Sequence, residues 1–344
     1  MSHKEIRPEL IKRLDKLEQK YEAMGQDMLS YLDGLLYSRY LTYWDYLELD
    51  TLLSLQKPRT EFPDEEIFIV YHQVTELYFK LILLELEHLC KPEVAPLPEW
   101  RRRVERMVSY YRILVQSFEV MAEGMDRKEF LKFRMALLPA SGFQSVQFRS
   151  IELMCTDLLL LVSAPVRGVY DDESPLSEMF EHIYWKYGNI ELKSGKKTLT
   201  LRMFEEKYNQ DLLELAAHHR SRNLRRQFMR LPEADQQDEH LRSLMRELDL
   251  QANVFWPLSH YKSAVRYLNR DEEVIAATGG TNWQKYLPPK FQRVQFFPQL
   301  WSEQDQKEWG KSWVLQVFKE QIEDNWRKVT PEIIAAPTKE EAKA

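Results

Sequence analysis

The run EEIFIVYHQVTELYFKLILLELEHL, residues 65–89, constrains this chain more than any other feature. Apolar residues recur around most of its circumference, and neither Pro nor Gly interrupts it. It reads as one long helix buried at the centre of something larger. The most apolar runs, LILLEL and LLLLVSAPV, are too short or too interrupted to span a bilayer. The chain has only 10 glycines in 344 residues, alongside 17 tyrosines, 16 phenylalanines and 9 tryptophans. Scarce glycine and long periodic segments predict an all-α protein. At 44% hydrophobic content, 344 residues suffice for one large core or two smaller ones.

Charge narrows the function classes. Forty-eight basic residues against 54 acidic ones give a net charge of -6, so no nucleic-acid partner is expected. The basic run RRRVERM, residues 101–107, reads as a solvated helix face. The first twenty residues contain no apolar stretch of the secretory kind, and no membrane association is expected. Cys90 and Cys155 fall inside helical patterns and read as buried thiols of a reducing, cytoplasmic compartment. No CxxC pair or His/Cys cluster suggests zinc or an iron–sulfur centre.

Along the chain, helices are expected near 6–24, 26–37, 41–56, 65–89, 98–121 and 234–267. LPASGFQSVQFRSIELMCTDLLLLV predicts a further long apolar helix, with Ser141 as its candidate cap. Ser302 is the candidate cap of a last amphipathic helix. Residues 1–40 read as an N-terminal helical arm, and 41–330 as one main domain with a variable insertion at about 165–232. Residues 331–344 read as a disordered tail.

Several side chains could carry chemistry. AATGGTNWQKYL, residues 276–287, lacks the lysine and the preceding strand of a phosphate loop. It is either an ordinary turn or a flap that lets the backbone approach a ligand, with Thr278 and Thr281 offering hydroxyls. His72 shares a helix face with Phe68 and Glu76, as a core histidine paired with a polar neighbour or as a group that handles a proton. His260 shares a face with Trp256 and Ala264, and a small residue one turn on leaves room for a flat ring. It is either an axial ligand for iron or a helix-surface histidine. Arg149, in SGFQSVQFRS, could fork a ligand carboxylate or pair internally with Glu152. Tyr43 and Tyr46 could line a pocket or pack at a subunit interface. The remaining histidines have no comparable context.

Four segments resemble the tryptophan 2,3-dioxygenase family: LTYWDYLELDTLLSLQKP, DEEIFIVYHQVTELYFKLILLELE, SGFQSVQFRSIE, and WPLSHYKSAVR followed by TGGTNWQKYL. They occur in the family's order and span roughly residues 41–287. The resemblance implies a tryptophan/indoleamine 2,3-dioxygenase-like helical heme fold with heme b held non-covalently. It implies His260 as the proximal iron ligand, flanked by Trp256 and Arg266, and His72 at the distal position. It places Phe68 in the indole pocket, Arg149 on the substrate carboxylate, and Thr278 near the substrate ammonium and carboxylate. Tyr43 and Tyr46 would reach an active site from a neighbouring subunit of a homo-oligomer, a tetramer built as a dimer of dimers. The implied reaction inserts both atoms of O2 across the indole C2–C3 bond of L-tryptophan to give N-formyl-L-kynurenine. The alternatives are a related heme-dependent oxygenase or hydroxylase acting on a modified tryptophan or other aromatic amino acid, and a non-catalytic heme or amino-acid binding protein. The chain departs from the family's pattern at YLNRDEEVIAA, at Thr281-Asn282-Trp283 and at Tyr78, which bears on substrate identity.

Overall fold

The structure is a computed structural model that describes residues 7–38, 42–137, 142–187, 189–190, 196–268 and 293–311. The fold is all-α. Among the described residues no strand forms. Only two isolated antiparallel bridges occur, Val162 with Ile183 and Ile190 with Lys197. The chain divides into two compact units, Met1–Gln56 and Lys57–Ala344.

The first unit holds helices α1 (Pro8–Ala23), α2 (Met28–Tyr37), α3 (Tyr43–Tyr46) and α4 (Leu49–Leu52). The starts of the first three are specified by their sequence. Pro8 starts α1, where its missing N–H costs nothing. Asp27 accepts from the Leu29 and Ser30 amides at the start of α2, and Thr42 caps α3. No described residue of this unit is buried.

The second unit is organised around α5 (Asp64–Leu89), α6 (Leu97–Ser117) and the short α7 (Glu119–Ala122) and α8 (Arg127–Phe133). The acids Asp64, Glu65 and Glu66 suit the positive N-terminal end of α5. Buried Glu65 also accepts from the Arg59 and Thr60 amides, both at 2.8 Å, and so fixes the chain entering the helix. Tyr71, Phe79, Ile82, Leu86 and Leu89 form the buried face of α5. It packs on α6, which answers with Trp100, Val104, Met107, Tyr111 and Leu114. Glu85 binds Arg103 at 2.7 Å and Arg106 at 3.2 Å across the same pair.

By length and composition α5 is apolar enough to cross a membrane. Yet it is not buried all round, as the sequence led us to expect. Ile67, Val70, Val74, Leu77, Leu81 and Leu84, spaced alternately three and four apart, remain 36–50% exposed. Apolar composition on every side marks which surfaces avoid water. It does not say how many of them the chain itself covers.

Next come α9 (Val146–Cys155), α10 (Leu158–Leu161), α11 (Leu176–Glu181) and α12 (Tyr184–Tyr187). The expected single apolar helix breaks at Thr156, where φ is -146°. Asp157 there is held by Asn223 at 2.8 Å and Arg226 at 2.7 Å, and also by Arg225. Ser145, not Ser141, caps α9; Ser141 lies outside the described residues. The chain continues through α13 (Leu199–His219), α14 (Leu224–Met229), α15 (Glu233–Gln236), α16 (Glu239–Leu250) and α17 (Trp256–Leu268). Leu201, Phe204, Leu212 and Phe228 join the same core. A π-helical turn, Gln251–Phe255, interrupts the helix expected over 234–267 and joins α16 to α17. Beyond the segment 269–292, which is outside the described residues, Val294, Phe296, Phe297 and Leu300 return to the core. Ser302 caps Glu303–Lys307 in a capping box with Asp305, as its sequence predicts.

Candidate active site

Two imidazoles organise the site, and their helices present them in the same way. On α5, His72 Nδ1 lies 2.7 Å from the carbonyl oxygen of Phe68, one turn back. On α17, His260 Nδ1 lies 3.4 Å from the carbonyl oxygen of Trp256, again one turn back. A carbonyl only accepts, so in each ring Nδ1 carries the proton and donates. Nε2 is left with its lone pair and no hydrogen bond among the described residues. Both rings are half-buried.

Burial holds both rings in the neutral form. It is the main cause of the lowered pKa of His72, opposed by the Phe68 carbonyl and by Glu76. His260 is pushed down to about 4, first by burial and then by repulsion from His72.

The surroundings are aromatic. Phe68 lies 4.1 Å from the His72 ring, centroid to centroid, and Tyr71 presents an edge to it at 6.0 Å. Phe118, which follows α6, stands edge-on to His260 at 4.6 Å and to Trp256 at 5.4 Å, and meets Tyr71 at 5.7 Å. Trp256 and His260 are 4.8 Å apart. Phe118 thus bridges the two histidine helices, which also meet directly where Phe79 of α5 stands edge-on to Trp256 at 5.8 Å. Its sequence context, RILVQSFEV, looks like any amphipathic helix end, and the reading of the chain passed over it. Phe133 and Phe130 close on Phe68 at 5.9 and 6.4 Å; nothing in their pattern marked them either.

Arg149 follows a different course from its expected partners. It is buried, and its Nη1 binds Glu152 at 2.9 Å and donates to the Tyr184 hydroxyl at 3.0 Å. Tyr184 in turn donates to Glu152. The guanidinium lies 4.7 Å from the Phe148 ring. The internal pair with Glu152 therefore forms, and the cation is already matched. Among the described residues two polar atoms of this cluster are buried without a hydrogen bond: the Arg149 Nε, and Glu152 Oε2, which meets Arg149 only as an ion pair. A buried donor left unpaired is costly, and a ligand acceptor would relieve it.

Tyr43 and Tyr46, in the first unit, are 71% and 73% exposed. Thr278, Thr281 and the glycine segment lie outside the described residues, as does the side chain of Arg266.

Among the described residues no group of three or more His, Cys, Asp or Glu side chains could encage a bare metal ion. What His72 and His260 offer is single neutral imidazole donors amid aromatic rings. That donor set suits a metal that brings its own equatorial ligands, such as the iron of a porphyrin. The residues present therefore fit heme, whose iron His260 or His72 would hold through Nε2.

Residues 35–162 match the family model described as tryptophan 2,3-dioxygenase. A protein named tryptophan 2,3-dioxygenase from Herpetosiphon aurantiacus is 45% identical over 120 residues, covering 34% of this chain and 46% of that protein. Tryptophan 2,3-dioxygenase 2 of Ralstonia nicotianae is 42% identical over 125 residues, 33% of this chain and 34% of its own. A relative of the same name from Bacillus thuringiensis is 41% identical over 116 residues, 33% of this chain and 40% of its own. The chain thus spans less than half the length of these relatives. The matched family region contains Phe68, His72 and Arg149 but ends before Trp256 and His260.

Proposed function

We propose that this chain, whose residues 35–162 carry the sequence of the tryptophan 2,3-dioxygenase family, is a heme-dependent dioxygenase that cleaves the indole C2–C3 bond of L-tryptophan. The product is N-formyl-L-kynurenine, and both of its new oxygen atoms come from O2, so no external reductant is consumed. The observation that carries the reading is the pair of neutral imidazoles, each with Nδ1 tied to its own helix and Nε2 left as a lone-pair donor.

His260 would hold the iron through Nε2, which is left with its lone pair because Nδ1 donates to the Trp256 carbonyl. Heme, when bound, supplies the iron at which O2 is bound and activated. His72 stands ready to accept a hydrogen bond at Nε2 from the indole N–H. Phe68 and Phe118 provide apolar walls that exclude water and favour a flat aromatic substrate. Arg149 anchors the substrate carboxylate with its unpaired Nε, while Glu152 and Tyr184 keep the guanidinium in place. Fixing both ends of the amino acid orients the indole edge for reaction. The active form is a homo-oligomer, a tetramer in which Tyr43 and Tyr46 serve a neighbouring site.

The test uses purified, heme-loaded protein, reduced without oxygen and then given L-tryptophan and 18O2. A product heavier than tryptophan by two labelled oxygen atoms supports the reading, and loss of stable heme in His260→Ala supports the ligand assignment. Heme uptake without any such product would leave a binding protein. Unchanged heme content of His260→Ala in a pyridine hemochrome assay would remove His260 from its role.

A further inference from the structure

The π-helical turn ahead of α17 draws attention to a carboxylate that the proposed chemistry does not use. Asp249 sits at the end of α16, is 0% exposed, and has no cationic partner among the described residues. Four neutral donors surround it instead. Its Oδ1 accepts from Asn253 Nδ2 and from the Phe296 amide, both at 2.8 Å. Its Oδ2 accepts from the Phe297 amide at 3.1 Å and from Trp301 Nε1 at 2.9 Å. One acid therefore binds three pieces of chain: the helix it stands on, the π turn through Asn253, and the returning segment 296–301.

A π turn holds one residue more than an α turn. The extra residue rotates everything after it by about 100° relative to an unbroken helix. His260 follows that turn directly, so the turn decides which way its imidazole points. Such turns are rare, occur mostly as single turns inside α-helices, and are frequent at functional sites. Here Asn253 inside the turn is tied to Asp249, and Asp249 is tied to segment 296–301, whose Phe296, Phe297 and Leu300 are buried. The segment has its own anchor, since the Phe296 carbonyl accepts from Thr156 at 2.8 Å.

We propose that Asp249 is a positioning residue for His260: by pinning the π turn to segment 296–301 it sets the direction of the imidazole without touching it. Its importance to iron binding rests on the reading of His260 as axial ligand; its control of the ring does not.

The test separates these two. Protein without heme, labelled with 13C and 15N in its histidine rings, is compared as wild type, Asp249→Asn and Trp301→Phe. The His260 signal is identified by its loss in His260→Gln, and that of His72 by its loss in His72→Gln. Asp249→Asn keeps the size of the side chain but replaces an acceptor oxygen with a donor. Trp301→Phe removes one of the four donors and keeps an aromatic ring. The expected result is a displaced His260 signal in both variants, larger in Asp249→Asn, with the His72 signal in place. In heme titrations Asp249→Asn should bind roughly tenfold more weakly or worse, the usual cost of losing a group that orients a ligand. If Asp249→Asn does not fold, Trp301→Phe decides alone. An unmoved His260 signal overturns the proposal, as does an equal displacement of both histidines, which would mean general loosening. If wild-type protein takes up no heme while the His260 signal still moves, the cofactor reading falls and the positioning role stands.

Discussion

Acid should expose the buried imidazole of His260 as a cost to folding, and the size of that cost follows from the structure. The ring is pushed from its ordinary 6.5 to about 4, mainly by burial and further by His72. A depressed pKa means that the unfolded chain binds the proton more readily than the folded one. The folded state is then unpenalised above about pH 6.5 and loses stability as the pH falls toward the folded pKa. At about 1.4 kcal/mol per unit, the loss from this one ring is about 2 kcal/mol by pH 5 and about 3 kcal/mol by pH 4. Other groups also titrate over that range, so wild type is best compared with His260→Gln, which has nothing to protonate. Urea unfolding of both heme-free proteins, followed by circular dichroism at pH 7 and pH 5, gives the difference directly. The variant should gain on wild type by about 2 kcal/mol between the two. A gap that stays constant, or moves the other way, would show that the imidazole is not held in a medium that rejects its charge.

Asp249 should show the opposite sign. Burial raises it from 3.8 to about 6 against its four donors, so its contribution is favourable below about pH 4 and lost as the pH rises through 6. Relative to Asp249→Asn, wild type should lose about 3 kcal/mol between pH 3.5 and pH 7 in urea titrations; a gain over that range would mean that the donors outweigh burial. Glu152→Gln leaves the buried Arg149 cation without its anion and should destabilise the protein by about 3–5 kcal/mol in chemical unfolding. Asn223 both caps α14 and donates to Asp157, so Asn223→Ala should cost about 1–3 kcal/mol by the same measure. Arg149→Ala should lower kcat/KM for tryptophan chiefly through KM, read by steady-state kinetics.

The sequence carried the fold class because its helices are long and their apolar periods strong, α5 and α6 above all. It also brought Phe68, His72, Trp256 and His260 forward, first through their spacing on helix faces and then through the signature segments. The contacts among them were not legible. Phe118 joins the two histidine helices only in three dimensions, from a stretch that reads as plain amphipathic helix. The π turn was equally hidden, because one extra residue leaves an apolar period nearly unchanged over so short a span. Asp249 looked like one more acid on a helix, and only the return of segment 296–301 gives it partners. For Arg149 the local spacing did contain the answer: Glu152 is one turn away, and the i,i+3 pair forms. What spacing could not reveal is the Arg149 Nε left without a hydrogen bond among the described residues.

The uncovered aliphatic strip of α5 has a practical consequence. Ile67, Val70, Val74, Leu77, Leu81 and Leu84 form a continuous ribbon facing water. Salts that are excluded from protein surfaces, such as ammonium sulfate, sharpen the tendency of such a ribbon to leave water, whereas moderate urea relaxes it. Fractionation and crystallisation of this protein will therefore respond to the choice of precipitant more steeply than a net charge of -6 would suggest.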